Sequence, residues 1–334
     1  MVQSEAEGKT VLVTGATGFI GGNLVHALVQ KGYSVTCLVR AYGDTRSLQK
    51  LPVRLIHGSL EDAASIRNAV KGARVIFHIA GLTKAPNRNK FFLVNRNGTA
   101  TLLEILSETV PGPDRFVHAS SLAAAGPSAL DRPLTEEDTP KPVSWYGESK
   151  LAAEEEVRKY ANAFPVTILR PSAVYGPGDK DIYMIFRMIQ RGCLFTPGRF
   201  TRQFSLIHVG DLVHAFIQAG ESTVPSGNVF FISRPEIHTW EEVGIEIARA
   251  LGKKYRRFAF PKWLALTAGA AGDFYSLLSG KTAVLNKQKV RELLQPSWTC
   301  NSFKAKTALG FNPAIELRVG IRETVQWYRR QGWL

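Results

Sequence analysis

Residues 10–32 read TVLVTGATGFIGGNLVHALVQKG, and this stretch narrows the choice of fold more than any other. A β-branched apolar run ends in a glycine turn, and an amphipathic run at 19–31 follows it. Gly15, Gly18 and Gly21 recur at every third position. The first permits a tight turn, the second lets a pyrophosphate approach the backbone, and the third lets helix press on strand. The N-terminus of such a helix offers free N–H groups and a partial positive charge to a phosphate. The stretch therefore reads as a dinucleotide-binding strand, loop and helix, with Thr17 inside the loop.

The alternation continues. Candidate strands at 34–40, 53–58, 74–80, 115–121 and 165–170 are separated by amphipathic segments, among them 61–70, 91–110 and 145–162. The strands are apolar runs, as strands covered on both faces are. Strand–helix alternation with right-handed crossovers predicts an α/β fold with a doubly wound parallel sheet of the Rossmann kind. Beyond residue 178 the pattern loosens. NVFFIS (228–233) adds one strand, and helical runs at 181–191, 210–220, 239–251, 261–279, 286–294, 303–309 and 314–331 are joined by Pro/Gly loops. The expected organisation is a dinucleotide-binding domain of residues 1–178 with 205–233, and a smaller, mostly helical substrate lobe of 179–204 with 234–334. RPSAVYGPGD (170–179) is expected to stop the sixth strand abruptly at the sheet's C-terminal edge.

With 334 residues, 45% of them hydrophobic, the chain can bury a sizeable core. MVQSEAEG has no apolar h-region, so no signal peptide is read, and no stretch is long and apolar enough to span a bilayer. Cys37, Cys193 and Cys300 form neither a disulfide framework nor a metal spacing, and the histidines are scattered. A cytoplasmic protein without a metal site is expected. The net charge of +14 is uneven: residues 251–295 hold nine basic residues against two acidic, a local +7. A solvated basic face is the plain reading, and attraction to an anionic lipid surface or acidic substrate is the sharper one. No nucleic-acid-binding module accompanies the charge, so no nucleic-acid partner is expected.

Three features carry chemistry. The second strand ends at Arg40, where an acid would accept bonds from ribose hydroxyls; a guanidinium suits a 2′-phosphate instead. This favours NADP over NAD, with Arg46 as a second charge. Tyr146 and Lys150 in SWYGESK are four apart and share a helix face. A phenol with pKa about 10 is a poor acid–base near neutrality, and an adjacent ammonium favours its ionised form. FVHASS (116–121) places serines at the C-terminal end of a strand, where a hydroxyl can hold a substrate oxygen while Tyr146 moves the proton.

With TGATGFIG, VIFHIAG, VNRNGT, ASSLAAAG, YGESK, RPSAVYGPGD, IHVGDLVHA and ALGFNP, the chain resembles the extended short-chain dehydrogenases/reductases over nearly its whole length. These form the NAD-dependent epimerase/dehydratase superfamily. The resemblance implies that Gly15, Thr17, Gly18, Phe19 and Ile20 hold the cofactor from the loop. Arg40 takes the ribose end, and Ser59 and Leu60 lie beside the adenine, Ser59 standing where relatives usually carry Asp. Ile79, Ala80, Gly81, Asn95 and Ala119 follow toward the nicotinamide, with Pro171 and Val174 beyond them. Ser121, Tyr146 and Lys150 are the implied catalytic set, Tyr146 and Lys150 also touching cofactor. Many relatives dimerise through the Tyr/Lys helix; the acidic run Glu154–Glu156 lies on that helix, and a homodimer is expected.

Departures from the family's patterns narrow the reaction. Dehydratases follow the catalytic hydroxyl with Asp–Glu; here Leu122 and Ala123 stand, and neither moves a proton. Nucleotide-sugar epimerases read RPFNVYGP, with an asparagine on the pyrophosphate; here Ala173 offers no donor. Arg199 and Arg202 stand close to an arginine those enzymes use, which keeps a nucleotide-sugar 4-epimerase with tightly bound NAD as the alternative. A non-catalytic dinucleotide sensor is a third reading, which the intact Ser/Tyr/Lys set disfavours. The remaining resemblance is to dihydroflavonol reductase-like and 3β-hydroxysteroid dehydrogenase-like members, which act on bulky hydrophobic small molecules. The substrate end is read as Ser121, Ala173, Tyr183, Phe200 and Arg202, with Phe195, Trp263, Phe274 and Tyr275 as further wall candidates. FPKWLALTAGAAGDFYSLLSG (260–280) reads either as a lid helix or as an amphipathic element, within a basic stretch 253–291, that touches a membrane.

Overall fold

The computed structural model describes residues 10–198, 202–279, 283 and 286–334. Its strands are β1 (Thr10–Thr14), β2 (Ser34–Val39), β3 (Val53–His57), β4 (Val75–His78), β5 (Arg115–Ala119), β6 (Val166–Pro171), β7 (Ala173–Tyr175), β8 (Cys193–Pro197), β9 (Gln203–His208), β10 (Asn228–Ile232), β11 (Ile237–Thr239), β12 (Arg256–Phe260) and β13 (Ser297–Trp298). Its helices are α1 (Phe19–Gln30), α2 (Ala63–Ala69), α3 (Arg88–Phe91), α4 (Gly98–Ser107), α5 (Leu122–Ala125), α6 (Trp145–Lys159), α7 (Tyr183–Gln190), α8 (Val209–Glu221), α9 (Trp240–Leu251), α10 (Lys262–Ser279), α11 (Lys287–Leu293), α12 (Phe303–Leu309) and α13 (Leu317–Arg330).

Seven strands form one parallel sheet in the order β10-β6-β5-β4-β1-β2-β3. Side chains alternate between its faces, which is why apolar runs were required. On β1, Val11 and Val13 pack with Leu24 and Leu28 of α1 and Phe216 of α8. Leu12 points the other way, into a cluster with Ile66 of α2, Leu102 of α4 and Val157 of α6. The sheet is thus wound on both sides, as the sequence implies. α12 also rests on it: Ala305 and Leu309 are buried in the α1/α8 layer.

The region 91–110, which reads as one helix in the sequence, is broken into α3, a π-helical turn over Phe92–Asn97, and α4. A π-turn inserts a residue into the helical repeat and re-aims the side chains on it; here it turns Asn95 inward, 1% exposed.

A separate core packs α7, α9 and α13 around Phe186, Ile247, Val325 and Tyr328. The chain also contains strands outside the main sheet that the sequence pattern does not reveal. β9 pairs β7 and β13 in parallel and β11 antiparallel, and β8 pairs β12 in parallel. RPSAVYGPGD ends the sixth strand at Pro171 as expected, but extended structure resumes within it. After Pro171 the chain leaves the main sheet, and Ala173–Tyr175 re-pairs with Leu206–His208. A proline at a strand's last residue removes no needed ladder bond, so it does not end extended structure. The turn comes later, at Gly176 and Gly178, with φ 142° and 95°.

Candidate active site

The ends of β1 and β4 are adjacent where the strand order reverses, the crevice in which open α/β sheets bind ligands. Gly15 follows β1 with φ +75°, and a Cβ there would stand 2.6 Å from the Ala80 amide nitrogen. A Cβ on Gly21 would stand 2.2 Å from the Gly15 carbonyl oxygen. Only glycine fits either position. Gly18 caps α1 without a side-chain hydrogen bond, leaving the first amides of the helix open to an anion. Phe19 and Ile20 form the partly buried first turn behind it. The far wall is pinned by Thr14, whose carbonyl accepts the Ile79 amide and whose hydroxyl accepts the Ala80 amide, both at 3.2 Å. A cradle that admits no side chain and exposes helix amides fits a dinucleotide pyrophosphate.

Arg40 lies exposed just past β2. Its carbonyl accepts the Gly43 amide at 2.9 Å, and a Cβ on Gly43 would lie 3.4 Å from Thr17 Cγ2. The Arg40 turn therefore folds over the glycine loop. Arg46 is engaged by Asp44 in a two-point pair at 2.9 and 2.6 Å, which holds that carboxyl down to about 2. Ser59 accepts the Glu61 amide at 3.2 Å, and Leu60 is buried against Gly98, where a Cβ would stand 2.8 Å from its own.

Ser121 lies two residues past β5 and caps α5, its hydroxyl accepting the Ala123 amide at 3.1 Å. Tyr146 lies in the first turn of α6, a helix started by Ser144, which accepts the Gly147 amide. Loss of solvent pushes the Tyr146 phenol up to about 12, and a hydrogen bond with Ser121 opposes the rise. Lys150, 3% exposed, is pushed down to about 8 by burial, with Glu154 pulling it back up. The sequence led us to expect an ammonium that lowers the phenol; in the protein by itself, burial dominates both groups. A Cβ on Gly81 would stand 3.2 Å from Asn95 Oδ1 and 3.6 Å from Lys150 Nζ, so both side chains converge on Gly81. Asn95 accepts the Leu82 amide at 2.6 Å and donates to the Leu82 carbonyl and to Ser149 Oγ at 3.0 and 2.9 Å.

Ala119 and Pro171 end neighbouring strands at this same edge, both buried; Val174 is partly buried and Ala173 exposed. Arg202 is 7% exposed and donates to the Pro197 carbonyl, while its Nε is buried without a protein partner among the described residues. Tyr183 is engaged elsewhere. Its hydroxyl donates to the Trp333 carbonyl, and its ring packs on Tyr328 and Trp333 at 5.0 and 5.2 Å. Arg199 and Phe200 lie outside the described residues. Phe195, Trp263, Phe274 and Tyr275, candidates for a pocket wall, are each at least half exposed, Trp263 and Phe274 at 63%.

Two supports of the site escape a reading for chemistry alone. Glu154 does not face outward: it takes Arg170 Nε and Nη2, Arg158 and the Ser120 hydroxyl. Glu156 pairs with Arg96 and Lys159, which leaves Glu155 as the exposed member of the run. His78 bonds Thr14 Oγ1 at 2.7 Å and Thr99 Oγ1 at 2.9 Å, and Thr99 donates to the Asn95 carbonyl. A chain of hydroxyls and one imidazole thus connects the glycine loop to Asn95. Burial pushes His78 down to about 3, so it is neutral. Its signal is the histidine of VIFHIAG, a polar residue inside an apolar strand.

Among the described residues no cluster of His, Cys, Asp or Glu could hold a metal ion, and no helix is long and apolar enough to cross a membrane.

Residues 11–233 match the model of the NAD dependent epimerase/dehydratase family. The chain is 34% identical over 324 residues to a ceramide reductase of Caulobacter vibrioides, covering 97% of this chain and 96% of that one. It is 27% identical to a UDP-glucose 4-epimerase of Vibrio cholerae, covering 95% of each. Among solved structures it superposes on MoeE5 in complex with UDP-glucose and NAD with TM-score 0.76 and 28% identity, over 96% of this chain and 99% of that one.

Proposed function

The chain belongs to the NAD-dependent epimerase/dehydratase family and is an NAD(P)-dependent oxidoreductase of the extended short-chain dehydrogenase/reductase type; on that premise we propose that it interconverts a carbonyl and a secondary alcohol on a bulky, lipid-like substrate. The observation that carries the proposal is the convergence of Lys150, one helical turn beyond Tyr146 on α6, with Asn95 on Gly81, beside a phenol whose raised pKa the Ser121 hydroxyl opposes.

The glycine loop, the first amides of α1, the Ile79–Gly81 edge and Lys150 would hold the dinucleotide, Lys150 toward its nicotinamide end. Arg40, exposed over the loop, favours the 2′-phosphate of NADP. When bound, the reduced nicotinamide supplies a hydride to the carbonyl carbon. Ser121 orients the carbonyl oxygen. Tyr146 gives that oxygen its proton, so that hydride and proton together yield the alcohol and leave a phenolate. Lys150 stabilises the phenolate as an ammonium one turn away, and solvent returns the proton. In the oxidative direction the same groups run in reverse.

A reductase is favoured over a dehydratase because Leu122, 4% exposed, and Ala123 follow Ser121 and offer no second acid or base. It is favoured over a nucleotide-sugar enzyme because Ala173, exposed beside the cleft, has no donor for a pyrophosphate. The ceramide reductase relative points to the same substrate class. One observation supports the second reading, an epimerase with tightly held NAD: the buried, partly unpartnered Arg202 is a group that an anionic nucleotide would engage. The test is a comparison of long-chain keto-lipids with UDP-glucose, following oxidation of NADPH and NADH. Turnover of a keto-lipid with NADPH, and none of UDP-glucose, is expected. Conversion of UDP-glucose without net consumption of cofactor would overturn the reading.

A further inference from the structure

Helix α10 is packed inside out. The side it turns to the rest of the protein carries small residues: Ala265 and Gly269 are buried, and a Cβ on Gly269 would stand 2.9 Å from Val290 on α11. Among its described side chains the large apolar ones face solvent, with Trp263 63%, Leu264 44%, Leu266 52%, Phe274 63% and Tyr275 54% exposed. A water-facing helix normally shows the reverse arrangement.

The exposed apolar surface continues beyond the helix. α10 follows β12 through Pro261, and β12 pairs only with β8 among the described residues. Phe195 and Phe258 are opposite each other in that ribbon, their rings stacked at 5.4 Å and 50% and 46% exposed. Side chains alternate along a strand, so Arg256 shares the Phe258 face. Arg257 points to the other side, where it bonds Thr196 and pairs with Glu241.

Cations border this apolar area. Lys253, Lys254, Arg256 and Lys262 are exposed. Across 250–279 the sequence has five basic residues and one acidic, Asp273, which accepts the Lys287 amide on the α11 side. Exposed aromatic and aliphatic side chains on two elements joined at Pro261, with exposed basic residues beside them, match one kind of partner: an anionic lipid bilayer surface. Trp and Tyr favour its interface, aliphatic groups enter the acyl boundary, and lysines meet the headgroups.

We infer that the face formed by α10 and the β8–β12 ribbon docks on an anionic membrane surface. This surface stands on its own geometry and does not rest on the substrate reading. A protein partner would also take apolar residues, but the excess of cations around them favours a surface of repeated negative charge.

The full chain is sedimented with vesicles of phosphatidylcholine alone or with phosphatidylserine added, at low and high salt. Expected is co-sedimentation with the anionic vesicles that weakens with salt. W263S/F274S and K253E/K254E are each expected to weaken partitioning by roughly ten-fold or more. Retained NADPH binding and unchanged circular dichroism show that the variants are folded. The same variants are assayed on a water-dispersed short-chain ketone, so that failure of the enzymatic reading is separable from failure of the docking. Absence of vesicle binding, equal binding to neutral and anionic vesicles, or binding that the variants leave intact would overturn the inference. So would a lipid-free dimer dissociated by W263S/F274S, since a second copy would then cover the face.

Discussion

Glu154 accepts Arg170 Nε and Nη2 at 2.8 and 2.7 Å, with the two side chains 0% and 3% exposed. Glu154 lies one turn beyond Lys150 on α6, and Arg170 is the penultimate residue of β6. The same carboxylate accepts the hydroxyl of Ser120, the neighbour of Ser121. One buried anion therefore fastens together the ends of two strands and the helix from which Ser121, Tyr146, Lys150 and Pro171 project. Removing one partner of a buried ion pair leaves an uncompensated charge and costs about 3–5 kcal/mol. Glu154→Gln is expected to lower stability by that order in urea denaturation. It also withdraws the charge that holds the Lys150 proton, moving the lysine's titration below about 8; NADPH affinity measured against pH should shift its alkaline fall toward neutrality.

Tyr146→Phe is expected to cut kcat by about 10² to 10⁴ while leaving NADPH binding within a factor of two or so. The pH dependence follows from the phenol's raised pKa. Carbonyl reduction needs the protonated phenol, which burial preserves far above neutrality, so the reductive rate should be flat across neutral pH. Alcohol oxidation needs the phenolate, so its rate should rise with pH by about ten-fold per unit below the operative pKa. Initial rates in both directions check this. An oxidative rate that does not change with pH would contradict the role of Tyr146.

Arg40→Asp should reverse the cofactor preference. The exposed guanidinium loses its charge-assisted bonds to a 2′-phosphate, and a carboxylate can accept bonds from ribose hydroxyls instead. The KM for NADPH is expected to rise by about ten-fold or more, with the KM for NADH unchanged or lower. Because Asp44 already engages Arg46, the neighbouring cation does not stand in for Arg40.

The main sheet was legible because each of its strands is an apolar run and each glycine of the loop has one physical reason to be there. The smaller strands were not. β12 is mostly exposed and begins with two arginines, β8 is a five-residue piece ending in Thr196 and Pro197, and β7 follows a proline that reads as a stop. The catalytic candidates were legible because serine, tyrosine and lysine at fixed spacings announce chemistry. The inward role of Glu154 was not legible, since its partner, Arg170, is sixteen residues away and meets it only through the sheet. Trp263 and Phe274 are largely exposed, which the sequence did not reveal, because an aromatic residue in sequence does not show which way its helix turns.

Asp179, the last acid of RPSAVYGPGD read from its arginine, should give stability an unusual pH slope. It is 4% exposed, accepts the Asp181 and Ile182 amides at 2.9 Å each, and its carbonyl accepts the Tyr328 hydroxyl. Burial raises its carboxyl to about 6 in spite of those amides. An acid whose pKa is raised on folding binds its proton more tightly in the native state. Between the ordinary value near 3.8 and about 6, the folded protein therefore holds more protons at this site than the unfolded chain. Its contribution is unaffected by pH below that window and falls as pH rises through it, opposite to a salt-bridged carboxylate. The two-unit shift corresponds to about 3 kcal/mol. Asp179→Asn, which keeps one acceptor and cannot ionise, should gain stability relative to the parent as pH rises from 4 to 6 and hold that gain above it. Urea midpoints of both proteins across this range test the slope; parallel curves would show that Asp179 titrates alike in both states.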